Sequence, residues 1–155
     1  MGRSGRTGTR YITPIDSGGV PLTEQGKGKY ALTAGATYHY MLGGDDGPFQ
    51  SVQLTGLTAA AVLTSATIMD TNHMPLEVVD SDATAGNWIP EAPAAGYVAT
   101  TGTGWSATNS VVASAGSAVG GAMWHIAETG ANRTRLTVVV GGTGGTFVVS
   151  AWGKM

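Results

Sequence analysis

Paired glycines punctuate this chain at Gly18-Gly19, Gly43-Gly44, Gly120-Gly121, Gly141-Gly142 and Gly144-Gly145. The stretches between them are short and rich in Val, Thr, Tyr and Leu. Glycine takes positive φ without a Cβ clash, so such pairs mark places where a chain reverses. β-Branched residues are stiff at χ1 and suit a pleated strand better than a helix. Short runs of this kind between reversals specify an all-β chain. The 25 glycines follow no every-third-residue period, which excludes collagen. With 155 residues and a hydrophobic share of 42%, the chain is long enough for one domain with its own core.

Alternation places the strands. Tyr30 and Leu32 alternate with Ala31 and Thr33, and the run 37–42 puts Tyr38, Tyr40 and Leu42 on one face. Gly43-Gly44-Asp45-Asp46-Gly47-Pro48 is a turn cluster, and residues 49–55 form a third run. Residues 59–69 open with Ala59-Ala60-Ala61, which favours a helix. Val62, Thr64, Thr67 and Ile68 follow without a capping pair, so a strand is expected. Residues 70–95 are acidic and hold Pro75, Pro90 and Pro93. Loops are expected there around a short strand at 76–79, with Trp88 and Ile89 anchoring them to the body. Further strands are expected at 97–100, after a Gly102-Thr103-Gly104 turn at Val111-Val112, and at 122–126. Residues 134–140 and 146–152 flank Gly141-Gly142-Thr143-Gly144-Gly145 and read as a hairpin. Leu136, Val138 and Val140 share one face of its first arm; Phe147, Val149 and Ala151 share one face of the second. The expected architecture is a single β-sandwich or jelly-roll-like domain over residues 29–155. Residues 1–28 are expected to form a flexible, extended, basic arm, with Pro14 holding its one extended piece at or outside a sheet edge.

Charge narrows the function. Only 12% of the residues are Asp, Glu, Lys or Arg, against about a quarter in an ordinary soluble domain. No lysine or arginine occurs between Tyr30 and Asn132. A surface this poor in ions suits a protein whose faces are covered by other subunits. Arg3, Arg6, Arg10, Lys27 and Lys29 oppose only Asp16 and Glu24 in the first 29 residues, while the body is acidic. Arg3, Arg6 and Arg10, with Tyr11, therefore form a candidate partner-binding arm. No aromatic platform accompanies the arginines, so nucleic acid is not expected. No apolar run reaches the ~18 residues of a membrane helix, and no apolar stretch follows the basic start as it would in a signal peptide. No membrane is expected, and synthesis is expected in a cytoplasm.

The residues that carry chemistry are not arranged for it. The absence of cysteine excludes disulfides, thiolate metal sites and cysteine nucleophiles. His39, His73 and His125 lack ligand spacing and read as structural. Asp80, Asp82, Thr84 and Glu91 fit four positions of a calcium loop, but Ala85 stands where its glycine belongs and Pro90 and Pro93 spoil the following helix. There is no Gly-x-Ser-x-Gly elbow, and Gly26-Lys27-Gly28 lacks the spacing of a phosphate loop. No catalytic residue, metal or cofactor is expected. Trp88, Trp105, Trp124 and Trp152, with Tyr38, Tyr40 and Tyr97, suit core anchors and interface plugs, and alternatively a sugar-stacking platform. Trp88 and Trp105 are the candidate partner contacts among them.

From residue 87 onward the chain carries Trp88-Ile89-Pro90, a Thr/Gly-rich segment, Ala122-Met123-Trp124-His125-Ile126, then Arg135-Leu136-Thr137-Val138 and Ser150-Ala151-Trp152-Gly153-Lys154. In size, in lack of cysteine and in this C-terminal pattern it resembles tailed-bacteriophage virion proteins of the capsid-decoration (cement) or head-associated class. The resemblance implies a noncatalytic β-sandwich on the virion head surface that binds the major capsid protein. By analogy it also implies a homo-oligomer, with a trimer favoured. The alternative is a receptor- or carbohydrate-binding module of a phage fibre or tail.

Overall fold

The computed structural model describes residues 7–42, 49–71, 88–90, 98–116, 118–126 and 133–154. Among these there are strands and no helix. The strands are β1 (Thr7–Tyr11), β2 (Pro14–Asp16), β3 (Lys29–Leu32), β4 (Thr37–Leu42), β5 (Phe49–Gly56), β6 (Val62–Thr71), β7 (Ile89–Pro90), β8 (Val98–Thr101), β9 (Trp105–Thr108), β10 (Val111–Ala115), β11 (Gly120–His125), β12 (Arg133–Val140) and β13 (Gly145–Lys154).

They form two antiparallel sheets. Sheet A runs β1-β13-β5-β11-β8, with β3 beside β1 on the same edge of β13; sheet B runs β2-β4-β12-β6-β10-β9, with β7 on β6. Eight strands carry the framework: β3-β13-β5-β11 in one sheet and β4-β12-β6-β10 in the other. Counted along the chain, these are the first, eighth, third and sixth strands facing the second, seventh, fourth and fifth. That is the strand order of a jelly roll.

Alternation along the strands supplies the core. Tyr38, Tyr40, Leu136, Val138, Val140, Leu63, Ala66 and Ile68 from sheet B meet Val52, Leu54, Ala122, Trp124, Phe147, Val149 and Ala151 from sheet A, all buried. The expected strands at 29–32, 37–42, 49–55, 122–126 and within 59–69 are found at these places, β6 beginning at Val62 after a turn. The short strand expected at 76–79 lies outside the described residues.

Two expectations are corrected. Residues 134–140 and 146–152 do not form a hairpin: β12 pairs with β4 and β6, and β13 with β1, β3 and β5. Their two apolar faces look at each other across the core, so the connection at 141–144 is an arch between sheets. Gly144, at φ 72°, lies so close to Leu32 that an added Cβ would fall 2.6 Å from the Leu32 carbonyl oxygen. The N-terminal segment is also not a free arm up to residue 28. β1 is hydrogen-bonded along β13, and Ile12 donates to the Val149 carbonyl at 2.9 Å. The chain then crosses to sheet B, where β2 pairs with β4 as an edge strand. Pro14 sits at that edge, as its missing N–H requires, though its ring is buried.

Two features invite measurement. Gly120 faces Trp105, and a Cβ there would lie 2.3 Å from the Thr101 carbonyl oxygen and 2.5 Å from Trp105 Cδ1. Gly120→Ala is expected to cost about 3 kcal/mol in urea unfolding, the upper range for overpacking a closed site. The three core tyrosines differ in how their hydroxyls are served. Tyr38 Oη accepts from the Thr33 N–H at 2.9 Å, and Tyr30 Oη lies 2.9 Å from Thr13 Oγ1. Tyr40 Oη is buried with no hydrogen-bond partner among the described residues, and burial, reinforced by Tyr30 and Tyr38, pushes its ionisation far above the usual range. Tyr40→Phe is therefore expected to leave stability unchanged or raise it by up to about 1 kcal/mol, while Tyr38→Phe lowers it by about 1 kcal/mol.

Candidate interaction surfaces

The outer face of sheet A is laid out in cross-strand rows. One row is Thr9, Trp152, Ser51 and His125; the next is Tyr11, Ser150, Gln53, Met123 and Ala99. Tyr11 and Trp152 are diagonal neighbours on adjacent strands, 49% and 41% exposed. The Tyr11 ring rests on Gly28, where φ is 74° and a Cβ would fall 2.5 Å from Tyr11 Cδ1. No carboxylate stands in these two rows.

The outer face of sheet B is covered in part. Arg135 and His39 project to that side from β12 and β4, yet both are buried. Trp88, just before β7, lies over two arginines of β12: Arg135 Cζ is 4.2 Å and Arg133 Cζ 5.3 Å from the centre of its ring, distances at which the π face attracts a guanidinium. Arg135 also points an amino group at Met69 Sδ, 3.8 Å away. Burial, and then the neighbouring Arg133, lowers the Arg135 pKa to about 10, so it stays charged at neutral pH. His39 Nδ1 is 3.2 Å from Thr137 Oγ1, and Ile15 is its cross-strand neighbour on β2. Burial first, then the positive charge of Arg135, lowers its pKa from 6.5 to about 4.

The sequence-predicted contacts fall in different places. Arg3 and Arg6 lie outside the described residues, as do the calcium-loop candidates Asp80, Asp82, Thr84 and Glu91. Arg10 is half-buried opposite Ala151 at the margin of the core. Tyr11 is on the surface, where a contact residue belongs. Trp88 is spent on the arginine stack, and its neighbour Ile89 is exposed rather than anchoring anything. Trp105 requires correction as a partner contact: it is 6% exposed and donates Nε1–H to the Ala118 carbonyl at 3.3 Å. Gly56 and Gly120 make room for its indole, since a Cβ on Gly56 would lie 2.7 Å from Trp105 Cζ2. Trp124, likewise buried, bonds the Ser110 carbonyl at 2.9 Å. Trp152, named with the other tryptophans but not among the expected partner contacts, is the exposed one, and the pattern contained this: with Phe147, Val149 and Ala151 inward, residue 152 must point outward.

Ions are unevenly shared among the strands. β5, β8, β9, β10 and β11 contain no Asp, Glu, Lys or Arg. These strands make up one lateral half of the sandwich, apart from β6 with its single Asp70. Comparison with protein-family models, curated proteins and solved structures finds no match for the chain.

His39 gives this region a pH signature. The folded state holds the imidazole neutral, while the unfolded chain takes up a proton below pH 6.5. Stability is thus full above pH 6.5, falls as pH drops toward about 4, and loses on the order of 2 kcal/mol across that window. His39→Gln is expected to flatten that part of the profile relative to the parent, as read from urea midpoints at stepped pH.

Proposed function

We propose that the protein is a noncatalytic virion structural protein that binds the major capsid protein and stabilises or decorates the phage head, acting as a homo-oligomer, with a trimer favoured. The observation that carries this reading is the ion-free lateral half of the sandwich, β5, β8, β9, β10 and β11. Burying such a surface strips no ions of their water, and the desolvation of charges is what most opposes association. A chain that must stay dissolved alone gains nothing from it. The reading also draws on the jelly-roll order, a fold used in viral shells, although fold alone assigns no function. Arg3 and Arg6, ahead of β1 in the sequence, would supply positive charge for an acidic shell subunit.

The second reading, a receptor- or carbohydrate-binding module of a fibre or tail, is favoured by one feature. Tyr11 and Trp152 stand exposed side by side, flanked by Ser51, Gln53 and Ser150. Aromatic rings beside hydroxyls and a carboxamide suit the faces and edges of a sugar.

One experiment separates the two. The purified protein is mixed with empty heads and, separately, with a panel of oligosaccharides. The capsid reading expects co-sedimentation with heads at a copy number that scales with shell subunits, and no glycan effect on tryptophan fluorescence. Quenching by a glycan without head binding would replace it with the second reading, since Trp152 is far more exposed than Trp105 or Trp124. A protein that stays monomeric and binds neither would overturn both.

A further inference from the structure

The two sheets differ in the charge of their strands. The six strands of sheet A hold Arg10, Lys29 and Lys154 and no Asp or Glu. These cations belong to β1, β3 and β13, at one margin of the sheet, while β5, β8 and β11 hold neither sign. Lys27 adds a further cation beside that margin: it is exposed in the tight turn that the Lys29 N–H closes on the Gly26 carbonyl at 2.8 Å. Sheet B carries both signs, Asp16 and Asp70 with Arg133 and Arg135.

Register brings one of these cations to the exposed aromatic rings. Tyr11 pairs with Ser150 and Lys29 with Val148, two positions on along β13, so Tyr11 and Lys29 take consecutive outward places on that edge, about 7 Å apart. Trp152 stands one row further the other way. Trp152, Tyr11 and Lys29, all exposed, thus occupy three successive rows of the outer face. The row of Lys29 continues through Val148, Thr55, Gly121 and Thr101. Gly28 seats the Tyr11 ring, so that side chain has little freedom left to lose on contact.

The acids are placed elsewhere. Among the described residues the carboxylates are Asp16, Glu24 and Asp70. Asp16 Oδ1 accepts from the N–H groups of Gly18 and Val20, each at 2.9 Å. Asp70 Oδ1 accepts from Thr134 Oγ1 at 2.6 Å, and Glu24 Oε2 lies 3.5 Å from the hydroxyl of Tyr30, whose ring is in the core. Each is engaged within its own chain, and none stands on the face that carries Lys29.

We infer that the outer face of sheet A lies against an acidic surface of the shell subunit, with Tyr11 and Trp152 as aromatic anchors and Lys27 and Lys29 meeting the partner's carboxylates; the inference rests on the head-binding function proposed above. Charge selects the occupant. A second copy laid face to face would set lysines against lysines, with no carboxylate from the strands of either sheet between them, and like charges brought together oppose closure. A neutral sugar leaves the lysines unused. A protein surface that brings its own carboxylates satisfies them, and lysines at a margin do this on long stems while their ammonium groups keep some water. Tyrosine and tryptophan are residues on which the energy of protein contacts concentrates. Beyond them, β5, β8 and β11 present no ion that must be stripped of water.

The test uses Trp152→Ser and Lys29→Glu, with Ile89→Ser on β7 of sheet B, 59% exposed, as the control. The full-length proteins are compared for co-sedimentation with empty heads at low and high salt, for thermal unfolding, for mass in solution and for fluorescence quenching by neutral and acidic oligosaccharides. All three substitutions fall on exposed side chains, so melting should match the parent, and Lys29→Glu keeps the test valid if Trp152→Ser folds poorly. Trp152→Ser is expected to lose more than about tenfold in head binding. Lys29→Glu is expected to lose a similar factor at low salt and less at high salt, where the reversed charge is screened. Ile89→Ser should bind as the parent does. Parent-like head binding by Trp152→Ser, or by Lys29→Glu at low salt, would overturn the inference and leave the proposed function standing. Absence of head binding by the parent would sink the proposed function, and this inference with it. An acidic oligosaccharide that quenches the parent but not Trp152→Ser, with heads unbound, would give the face to the second reading. If Trp152→Ser turns a parent oligomer into monomers, the face joins copies of this chain, and the shell is excluded as its occupant.

Discussion

Strands β12 and β13 are each hydrogen-bonded on both edges, and the rest of the sandwich is laid against them. β12 holds β4 on one side and β6 on the other; β13 holds β5 on one side and β1 with β3 on the other. Leu136, Val138 and Val140 face Phe147, Val149 and Ala151 across the core, and all six are buried. Only four residues, 141–144, join the two strands, so the sheets are fixed in distance where the chain passes between them. Residues near that passage must be small or compact. Gly141 approaches Val62 so closely that a Cβ would fall 2.5 Å from its Cγ1, and Gly145 is pressed against Ala61. The many glycines thus serve two ends: a few turn the chain, and others let the sheets close.

Much of this was legible in the alternation. Period-two patterning identifies which residues of a strand share a face, and Tyr38-His39-Tyr40-Met41-Leu42 or Leu136 through Val140 could hardly be read otherwise. What the pattern does not encode is which sheet a strand joins. An apolar face on 136–140 followed by another on 147–151 fits a hairpin with one buried side, and it fits equally an arch whose two buried sides meet. Local sequence is the same in both; the choice is made by β4, β6 and β5, which are remote in sequence. β1 and β2 escaped for a related reason. Gly8 has no side chain to bury and Thr9 is exposed, and the segment is a strand because the edge of β13 offers unpaired backbone groups, not because of its own propensity.

Tryptophans show the same limit at the level of single residues. Trp105 and Trp152 are equally apolar, but one fills a hollow left by Gly56 and Gly120 while the other stands on an open sheet. The glycines that bury Trp105 come from β5 and β11, far away along the chain. Parity along β13 does fix Trp152 outward, so that residue was readable once Phe147 had been placed inward. His39 and Arg135 are the converse case. Parity places them outward, yet both are buried: the Trp88 ring lies on Arg135, and His39 sits between Thr137 and Ile15 of the neighbouring strands. A face exposed by alternation need not be exposed in the molecule.

The two outer faces have different physical costs of contact. Sheet B's outer side already holds a guanidinium stack, and engaging it would mean displacing Trp88 from two cations. Sheet A's outer side is open, but a partner would have to meet the polar groups of Ser51, Gln53 and Ser150 with hydrogen bonds of its own. Covering the outer side of sheet A therefore asks less than displacing Trp88, because no Asp, Glu, Lys or Arg of its two central rows has to lose its water.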